Sequence, residues 1–419
     1  MPENYADIVI IGASHAGGEV AVRLRQNGFK GSIALIGAET QLPYNRPPLS
    51  KAFLAGEISL DQIMIRPPVT YENADITWHG GSTVTAIDTA AHEITLAGGT
   101  CFGYRKLVLA TGGRPRHLNI PGADLAGIHT LRNVEDVEKL RPDFIAGKRL
   151  VIVGGGYIGL EVAAVAVKHG LDVEIVEFAP RVLARVAGPQ LSAFYEAAHR
   201  AAGVKIRLST GVDGFVAAAT SAKIVGGVLC GDISLPADLV LVAVGLVPNT
   251  ELAAEAGLAI GNGVIVDEFC QTSDPDILAI GDCTEHPLPF LGRRVRLESV
   301  PNALEQARVA ASVLTGQPSA YNAVPWFWSD QFDLKLQAVG LSQGYDQVIT
   351  RTTKAANGFV AFYLEKGRVI AADCVNAPAD FMQAKRLVTE KQFADPVLLA
   401  DGTIPLKDVV AAAAKTQMA

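Results

Sequence analysis

Residues 151–161 combine the residue types that bind the pyrophosphate of a dinucleotide. Three β-prone residues, 151–153, lead into Gly154–Gly156, and Gly159 follows. In this pattern the first glycine permits a tight turn, the third lets backbone N–H groups approach the phosphates, and the last lets the helix pack on its strand. The helix N-terminus adds a partial positive charge. The sequence therefore predicts a dinucleotide site, with a purely structural glycine-rich turn as the alternative.

Glu177 completes this predicted unit. It follows the next strand, 173–176, about 20 residues after the glycines, where a carboxylate accepts hydrogen bonds from both hydroxyls of an adenosine ribose. The same carboxylate repels the 2′-phosphate of NADPH, and no basic residue lies in 173–178, although Arg181 is close by. We therefore expect NADH to be preferred over NADPH.

The N-terminal segment has the same order of elements. A strand at Ile8–Ile11 precedes the turn Gly12–Gly17, a helix over 18–26 and a second strand over 33–36, after which Glu39 is the ribose candidate. Ser14 stands where the middle glycine is expected, and this small residue still admits phosphates. A structural turn remains the alternative here too. Two dinucleotide sites in one chain indicate two cofactors that exchange a hydride, FAD at the first and a nicotinamide dinucleotide at the second.

Other segments must position these turns. Alternating residues predict two short antiparallel strands, Ser82–Ile87 and His92–Leu96. Apolar runs predict buried strands at Leu107–Arg114, Leu239–Val244 and Ile277–Ile280, and the last of these delivers Gly281-Asp282 to the ligand end of a sheet.

The helices and the C-terminal part are predicted from further patterns. Helices are expected over Tyr157–His169 and Gln190–Ala202, and another should begin after the N-cap Ser299 and end near Leu314. From Tyr321 the chain changes character. Trp326-Phe327-Trp328, several strands and a final helix from about Ala379 predict a mixed α+β domain. Its predicted strands are 335–339, 347–351, 359–364 and 369–376.

Composition narrows the function classes. At 419 residues the chain is long enough for two or three domains. No apolar run approaches the roughly 20 residues of a membrane helix, and no secretory signal precedes the first strand, so we expect a cytoplasmic protein without a membrane span. The net charge of −7 disfavours nucleic acid as a partner. The five cysteines are widely separated and odd in number, which predicts neither a disulfide framework nor a metal site.

Several motifs together resemble one family. They are Gly12–Gly17, Arg46–Lys51, Ala110–Pro115, Gly154–Glu161, Thr272–Pro275, Gly281–Asp282, Glu298–Ala303 and Pro325–Gln331. Across nearly its whole length the chain resembles the putidaredoxin-reductase-like family of NADH-dependent ferredoxin reductases. The resemblance implies the glutathione-reductase-type fold, an α/β fold with two Rossmann-like dinucleotide-binding domains, for FAD and NAD, and a C-terminal mixed α+β domain. The FAD domain would comprise 1–114 and 247–322, the NAD domain 115–246, and the C-terminal domain, which covers the flavin, 323–419.

The resemblance also implies roles for individual residues. The FAD-binding residues would be Gly12, Ser14, Ala16, Gly17, Glu39, Lys51, Val84, Arg132, Asp282, Val300 and Trp326. Asp282 would lie at the ribityl-pyrophosphate region and Val300 near the pyrimidine edge, while Ala38 replaces a family acid and leaves the ribose to Glu39. The NAD-binding residues would be Gly154, Gly156, Tyr157, Ile158, Gly159 and Glu177.

Lys51 and Glu161 resemble a family ion pair beside the flavin, and they are the predicted catalytic residues. A lysine near the reactive edge favours the anionic reduced flavin, and a carboxylate holds that lysine in place. Glu161 has an alternative interpretation as a first-turn carboxylate that complements the helix dipole. Tyr157 would cover the nicotinamide pocket, or else be a core aromatic.

The cysteines and the resemblance together predict the electron acceptor. Disulfide reductases of this fold need a redox-active cysteine pair beside the flavin, whereas Pro43–Lys51 has no cysteine. Electrons should therefore pass singly to a [2Fe–2S] ferredoxin that serves a cytochrome P450 or a ring-hydroxylating oxygenase. Two alternatives remain: an NADH oxidase or quinone reductase of the same fold, and a flavin-containing signalling protein resembling apoptosis-inducing factor.

The surface that receives the ferredoxin is a further prediction. Small ferredoxins are commonly acidic and this chain is itself negative, so docking requires a local positive patch. The resemblance points to Arg308, with Arg66 as a second candidate. Trp328 would lie at the contact, and Trp326 would face the flavin side. Packing tryptophans and solvated arginines are the alternatives, and we expect a monomer.

Overall fold

A computed structural model describes residues 4–353, 355 and 357–418 of the chain. Its strands are β1 Tyr5–Ile11, β2 Ile33–Gly37, β3 Ile76–Gly80, β4 Val84–Asp88, β5 Glu93–Leu96, β6 Cys101–Leu109, β7 Gly113–Pro115, β8 Ile128–His129, β9 Arg149–Val153, β10 Asp172–Val176, β11 Lys205–Arg207, β12 Gly214–Ala218, β13 Ser221–Cys230, β14 Ile233–Pro236, β15 Leu239–Val242, β16 Leu246–Pro248, β17 Val264–Ile265, β18 Ile277–Ala279, β19 Thr284–Leu288, β20 Arg293–Val295, β21 Trp326–Gln331, β22 Leu334–Gly340, β23 Gln347–Thr352, β24 Phe359–Glu365 and β25 Arg368–Val375.

The α-helices are α1 His15–Gln26, α2 Leu60–Ile63, α3 Pro68–Asn73, α4 Val134–Leu140, α5 Tyr157–Lys168, α6 Pro189–Ala201, α7 Glu251–Glu255, α8 Val300–Leu314, α9 Pro378–Thr389, α10 Pro396–Ala400 and α11 Leu406–Met418. Two 3₁₀ segments, Pro47–Ser50 and Arg141–Asp143, add single tight turns.

These elements form two compact units. The first comprises residues up to Arg46, 59–114 and 246–323, and the second comprises 47–58, 115–245 and the residues from Val324 onward. The three-domain boundaries drawn from the sequence stay a prediction.

The main sheet of the first unit places its functional loops. Its strand order is β3-β2-β1-β6-β5-β4, with β18 also paired to β6. β1, β2, β3, β6 and β18 run parallel, whereas β5 is antiparallel to both neighbours. β2 is buried at every residue, as a strand covered on both faces must be. Because parallel strands end at one edge, the loops after β1, β2 and β18 lie at the same edge of the sheet.

The second unit contains three sheets. Its parallel sheet has the order β11-β10-β9-β15-β8, and its small antiparallel sheet has the order β12-β13-β14. The five-stranded antiparallel sheet, β21-β22-β25-β24-β23, contains the C-terminal strands and packs against α9. Val151, Val176 and Val240 join the core between the first two sheets, which fixes the loops at the carboxyl ends of β9, β10 and β15.

Two of the element boundaries that differ from those predicted have a clear local cause. The predicted strand 107–114 ends at Leu109, because the chain turns at Gly112 and residues 113–115 pair with β16 instead. The helix predicted from residue 18 already begins at His15, since Ser14 takes the extended N-cap conformation.

The helix predicted as final, from about Ala379, is not the last. α10 follows it, with Asp395 accepting from the Val397 N–H at 2.8 Å, and then α11. In α11 the buried residues Leu406, Val409, Val410 and Ala413 have the i, i+3, i+4, i+7 spacing of a helix, so this pattern could have predicted it. Within the described residues, every helix is too short or too polar to span a lipid bilayer.

Candidate dinucleotide and electron-transfer sites

Gly12 and Gly17 form a turn that no larger residue fits. Gly12 has φ of +104°, and a Cβ atom there would lie 2.2 Å from the backbone oxygen of Ala110. A Cβ atom on Gly17 would lie 1.8 Å from the backbone oxygen of Gly12, so this glycine lets α1 pack directly on the turn. The steric roles expected of the first and last glycines of a dinucleotide turn are therefore present.

Arg46 links the turn to the predicted ribose acid. Its Nε donates to Ser14 Oγ at 2.8 Å, and its Nη2 lies 2.5 Å from Glu39 Oε1. The Tyr44 hydroxyl donates to the other oxygen of Glu39. The guanidinium therefore joins the turn to the acid and places a cation beside the turn.

Asp282 lies at the same edge, in the loop after β18. Gly281 has φ of +83°, and a Cβ atom there would lie 3.2 Å from the Cβ of Ala16, so the loop abuts the start of α1. Gln306 on α8 is fully buried and its Oε1 accepts the Gly281 N–H at 2.6 Å. α8 therefore fixes the loop that presents Asp282.

The other predicted FAD residues are divided between the units. Val84 begins β4 beside the Glu39 loop, since the neighbouring Ser82 N–H donates to the Gly37 oxygen at 2.8 Å. Val300 begins α8, and Ser299 is its N-cap as predicted, accepting the Asn302 N–H at 3.3 Å. The remaining three, Lys51, Arg132 and Trp326, belong to the second unit.

The second glycine turn repeats the steric pattern. Gly154 has φ of +107°, and a Cβ atom there would lie 2.5 Å from the Ala243 oxygen. A Cβ atom on Gly159 would lie 2.2 Å from the Gly154 oxygen, whereas one on Gly156 would meet no protein atom within 4 Å. Gly156 is thus not required by the packing of the protein itself, and the open space in front of it is where a phosphate group fits.

Glu177 is held by backbone groups. Its Oε2 accepts the Gly155 N–H at 2.6 Å and its Oε1 accepts the Ala179 N–H at 2.7 Å. The carboxylate therefore lies directly against the glycine turn. Arg181 faces inward, with Nη1 donating to the Ala187 oxygen at 2.7 Å and to Ser192 Oγ at 2.5 Å. Its guanidinium is occupied by the protein, which favours the predicted preference for NADH.

Tyr157 and Ile158 begin α5. The Tyr157 ring packs on Phe327 with centroids 4.6 Å apart, while Ile158 is exposed. Burial, and then the negative charge of Asp373, raise the pKa of Tyr157 well above its ordinary value, so the phenol is neutral. Tyr157 is therefore part of an aromatic contact between α5 and β21, and its predicted role at the nicotinamide stays a prediction.

The predicted ion pair is present, and its carboxylate has several donors. Lys51 Nζ lies 2.7 Å from Glu161 Oε2, which also accepts from Ser50 Oγ at 2.5 Å. Glu161 Oε1 accepts from Ser329 Oγ at 2.6 Å, and the Glu161 side chain is only 5% exposed. The dipole interpretation of Glu161 is wrong, because the residue lies beyond the first turn of α5. The two serine hydroxyls fix the carboxylate, and the carboxylate in turn holds the lysine cation in one place.

Trp326 and Trp328 lie on one face of β21. Their ring centroids are 5.6 Å apart, as expected of residues two apart in a strand. Trp326 also packs against Phe381, and the ammonium of Lys385 lies 5.6 Å from its ring centroid. Both indoles are half-buried. Their predicted roles, toward the flavin and toward the ferredoxin, stay predictions.

Both arginines predicted for docking are in ion pairs. Arg308 Nη2 lies 2.8 Å from Glu305, and this hydrogen bond raises the pKa of Arg308. Arg66 Nη2 lies 2.6 Å from the buried Glu19. The side chain of Arg308 is 36% exposed and that of Arg66 is 23% exposed, so Arg308 is the more accessible candidate.

The thiols take no part in these sites. Cys101 is exposed, and the other four cysteines are buried and free. Burial raises the pKa of Cys270, Cys283 and Cys374, which keeps them as unreactive thiols. In the part of the chain that the structure describes, no group of His, Cys, Asp and Glu could hold a metal ion.

The sequence did not single out some of these residues. Arg46 begins the motif Arg46–Lys51. An arginine just before a proline pair is a signal that could have marked it as a site residue. The hydrogen-bond partners of Gln306 and Ser329 are Gly281 and Glu161, which are distant from them in the sequence. No local pattern could have found them.

Comparisons with known proteins agree with this geometry. Residues 6–307 match the pyridine nucleotide-disulphide oxidoreductase family, and residues 326–410 match the reductase C-terminal family. The chain is 47% identical to putidaredoxin reductase of Pseudomonas putida, with 97% of each chain covered. Two solved structures are also similar. One is the covalent putidaredoxin reductase–putidaredoxin complex, with a TM-score of 0.94, 46% identity and coverage of 98% of this chain and 99% of that chain.

The other is the ferredoxin reductase for the CYP199A2 system of Rhodopseudomonas palustris, with a TM-score of 0.92, 42% identity and coverage of 97% of this chain and 100% of that chain. These matches confirm the predicted fold class and the predicted family. The chain belongs to the pyridine nucleotide-disulphide oxidoreductase family and carries the reductase C-terminal domain.

Proposed function

We propose that the protein is an FAD-dependent ferredoxin reductase that passes electrons from NADH to a [2Fe–2S] ferredoxin. The observation that carries the proposal is the presence of two glycine turns of the dinucleotide-binding kind, each with its own acid, in a chain 47% identical to putidaredoxin reductase. Two turns in one chain fit one resident flavin and one exchangeable nicotinamide nucleotide.

The first unit fits FAD. Gly12 and Gly17 keep the turn clear for a pyrophosphate, and Arg46 supplies a cation beside it. Glu39 supplies acceptors for a ribose, and Asp282 is presented at the same sheet edge. The bound flavin would accept a hydride and release its two electrons singly.

The second unit fits NADH. Gly154 and Gly159 shape the turn, Gly156 leaves space for phosphate, and Glu177 presents acceptors to the ribose hydroxyls. The inward-facing Arg181 leaves its guanidinium unavailable to a 2′-phosphate. Discrimination against NADPH therefore rests on repulsion by the Glu177 carboxylate.

Lys51 and Glu161 are the proposed catalytic pair. Glu161 holds Lys51 at 2.7 Å, and the hydroxyls of Ser50 and Ser329 fix the carboxylate on both of its oxygens. A lysine cation held in this way would stabilise negative charge on a bound reduced flavin without having to reorganise. Lys51 also donates to the Pro47 oxygen at 3.1 Å, which limits its rotamers.

The partner is proposed from the relatives. The putidaredoxin complex and the CYP199A2 system both concern reductases that serve a redox partner, which favours a ferredoxin of a P450 system here. A ferredoxin of a ring-hydroxylating oxygenase remains within the proposal. We also propose a cytoplasmic location, because NADH is a cytoplasmic reductant, and a monomeric reductase.

The rate of NADH oxidation by the purified holoprotein, measured with one acceptor at a time, tests the proposal. Oxygen is excluded except where it is itself the acceptor. Ferredoxins of the P450 and ring-hydroxylating types, putidaredoxin included, should be reduced at least tenfold faster than oxygen or quinones are in parallel assays. Faster reduction of oxygen or a quinone than of every ferredoxin would instead establish the oxidase or quinone reductase alternative. Slow turnover with all acceptors would favour the signalling alternative.

A further inference from the structure

Phe178 is an aromatic side chain in an unusual position. Its residue is 82% exposed, the largest exposure among the big hydrophobic residues that the structure describes. It follows Glu177 immediately, at the carboxyl end of β10. Exposing a phenylalanine to this extent forgoes the stabilisation that burial of its ring would give, so a function of the ring must be considered.

The order of strands defines what lies around the ring. The glycine turn follows β9, Glu177 follows β10, and the next strand outward is β11 at the edge of the sheet. The loop after β11 is tied to the Phe178 segment, because the Thr210 N–H donates to the Glu177 oxygen at 2.9 Å and the Ser209 N–H to the Ala179 oxygen at 3.0 Å. The ring therefore stands on a fixed backbone at the ligand end of the sheet.

The ring lies beside the loop after β11. Its Cδ2 lies 3.7 Å from the position of a Cβ atom on Gly211, in the loop after β11. A dinucleotide with its pyrophosphate on the glycine turn and its ribose on Glu177 must place its adenine one step further outward. That step leads to the face of Phe178.

We infer that Phe178 is the platform on which the adenine ring of the pyridine nucleotide stacks. The inference rests on the proposed function, since it assigns part of the NADH site. Purine rings stack favourably on aromatic side chains, at about 1–3 kcal/mol per base. Phe178 thereby becomes a specificity-determining residue that recognises the adenosine half of NADH and has no contact with the nicotinamide half.

The experiment measures binding of ADP-ribose to the oxidised holoprotein by calorimetry. Phe178→Ala should raise the dissociation constant about tenfold, the low end of what loss of one stacked base costs. Phe178→Trp should stay within about twofold of the wild type, because it keeps an aromatic face. Phe393→Ala, which removes another exposed phenylalanine of the same unit, is the matched control and should leave the constant unchanged.

A truncated substrate separates adenine recognition from a general defect. Reduced nicotinamide mononucleotide lacks the adenosine, so its kcat/KM should be the same in the wild type and in Phe178→Ala. The inference is overturned if Phe178→Ala loses kcat/KM equally with NADH and with reduced nicotinamide mononucleotide. It is also overturned if the affinity of Phe178→Ala for ADP-ribose is unchanged. Failure of the wild type to bind ADP-ribose at all overturns the proposed function with it, whereas normal wild-type binding with an indifferent Phe178 overturns the inference alone.

Discussion

The two dinucleotide turns support their acids in different ways. In the first unit Glu39 is held by the side chains of Arg46 and Tyr44, and Arg46 also reaches the turn through Ser14. In the second unit Glu177 is held by two backbone N–H groups, one of them from the turn itself. The glycine geometry is nearly the same in both, with φ of +104° at Gly12 and +107° at Gly154.

The difference separates a site that retains its ligand from one that exchanges it. Arg46 gives the first site a charged side chain that already joins the turn to the acid, so this part of the site is held in place before a ligand binds. The second site has open space at Gly156 and exposed apolar residues at Ile158 and Phe178. These open features suit a nucleotide that binds and leaves in every turnover.

The largest expected effect comes from replacing the first glycine of each turn with alanine. Gly12→Ala should yield protein without flavin, because φ is positive and the new Cβ atom would lie 2.2 Å from the Ala110 oxygen. Gly154→Ala should keep its flavin and lose ADP-ribose binding by about 100-fold or more, since the backbone must shift under the pyrophosphate. The flavin absorbance per chain and calorimetry with ADP-ribose measure the two losses. Flavin loss in both variants would show that the two turns do not act separately.

Arg46 tests whether a side chain retains the first ligand. Arg46→Ala should raise the dissociation constant of FAD about 10- to 100-fold, because hydrogen bonds to a charged group contribute about 1.5–3 kcal/mol each. ADP-ribose binding should not change. Arg105→Ala, which removes an exposed arginine of the same unit, serves as the control. Fluorescence of released flavin on dilution gives the constant, and tight retention of FAD by Arg46→Ala would refute the role given to the guanidinium.

Glu177 and Glu39 make a matched pair for nucleotide selection. Glu177→Ala should lower the ratio of kcat/KM for NADH to that for NADPH about tenfold or more, because it removes both a ribose acceptor and the charge that repels a 2′-phosphate. Glu39→Gln should leave this ratio unchanged and weaken FAD retention instead. An unchanged preference in Glu177→Ala would contradict the assignment, as would a change of preference in Glu39→Gln.

Sequence patterns predicted the parts of both sites that depend on local backbone. The glycine positions could be predicted because the steric limits that require them act within a few residues. The acid could be predicted because it comes directly after the second strand of a βαβ unit. Ser329 was not predicted, because it reaches Glu161 only through the tertiary fold. The shared face of Trp326 and Trp328 could have been predicted from strand alternation, which places residues two apart on the same side.

The smallest expected effect concerns the transfer of electrons to the ferredoxin. The predicted docking residues are Arg308 and Arg66 in the first unit and Trp328 in the second. Arg308 is the more exposed arginine, yet its charge is offset by Glu305 at 2.8 Å. A neutralised cation steers an acidic partner weakly. We therefore expect the charge of Arg308 to change the rate of ferredoxin reduction by about tenfold at most.

Two variants of this ion pair should act in opposite directions. Arg308→Glu places two acids side by side and should slow ferredoxin reduction about three- to tenfold at low salt, whereas Glu305→Gln exposes the arginine charge and should speed it about twofold. Both rates should approach that of the wild type as salt rises, since screening removes the steering. Reduction of ferricyanide by NADH, which needs no docking, is the control and should stay the same in both. If ferricyanide reduction falls together with ferredoxin reduction in Arg308→Glu, the arginine supports the fold or the flavin, and the ferredoxin docks elsewhere.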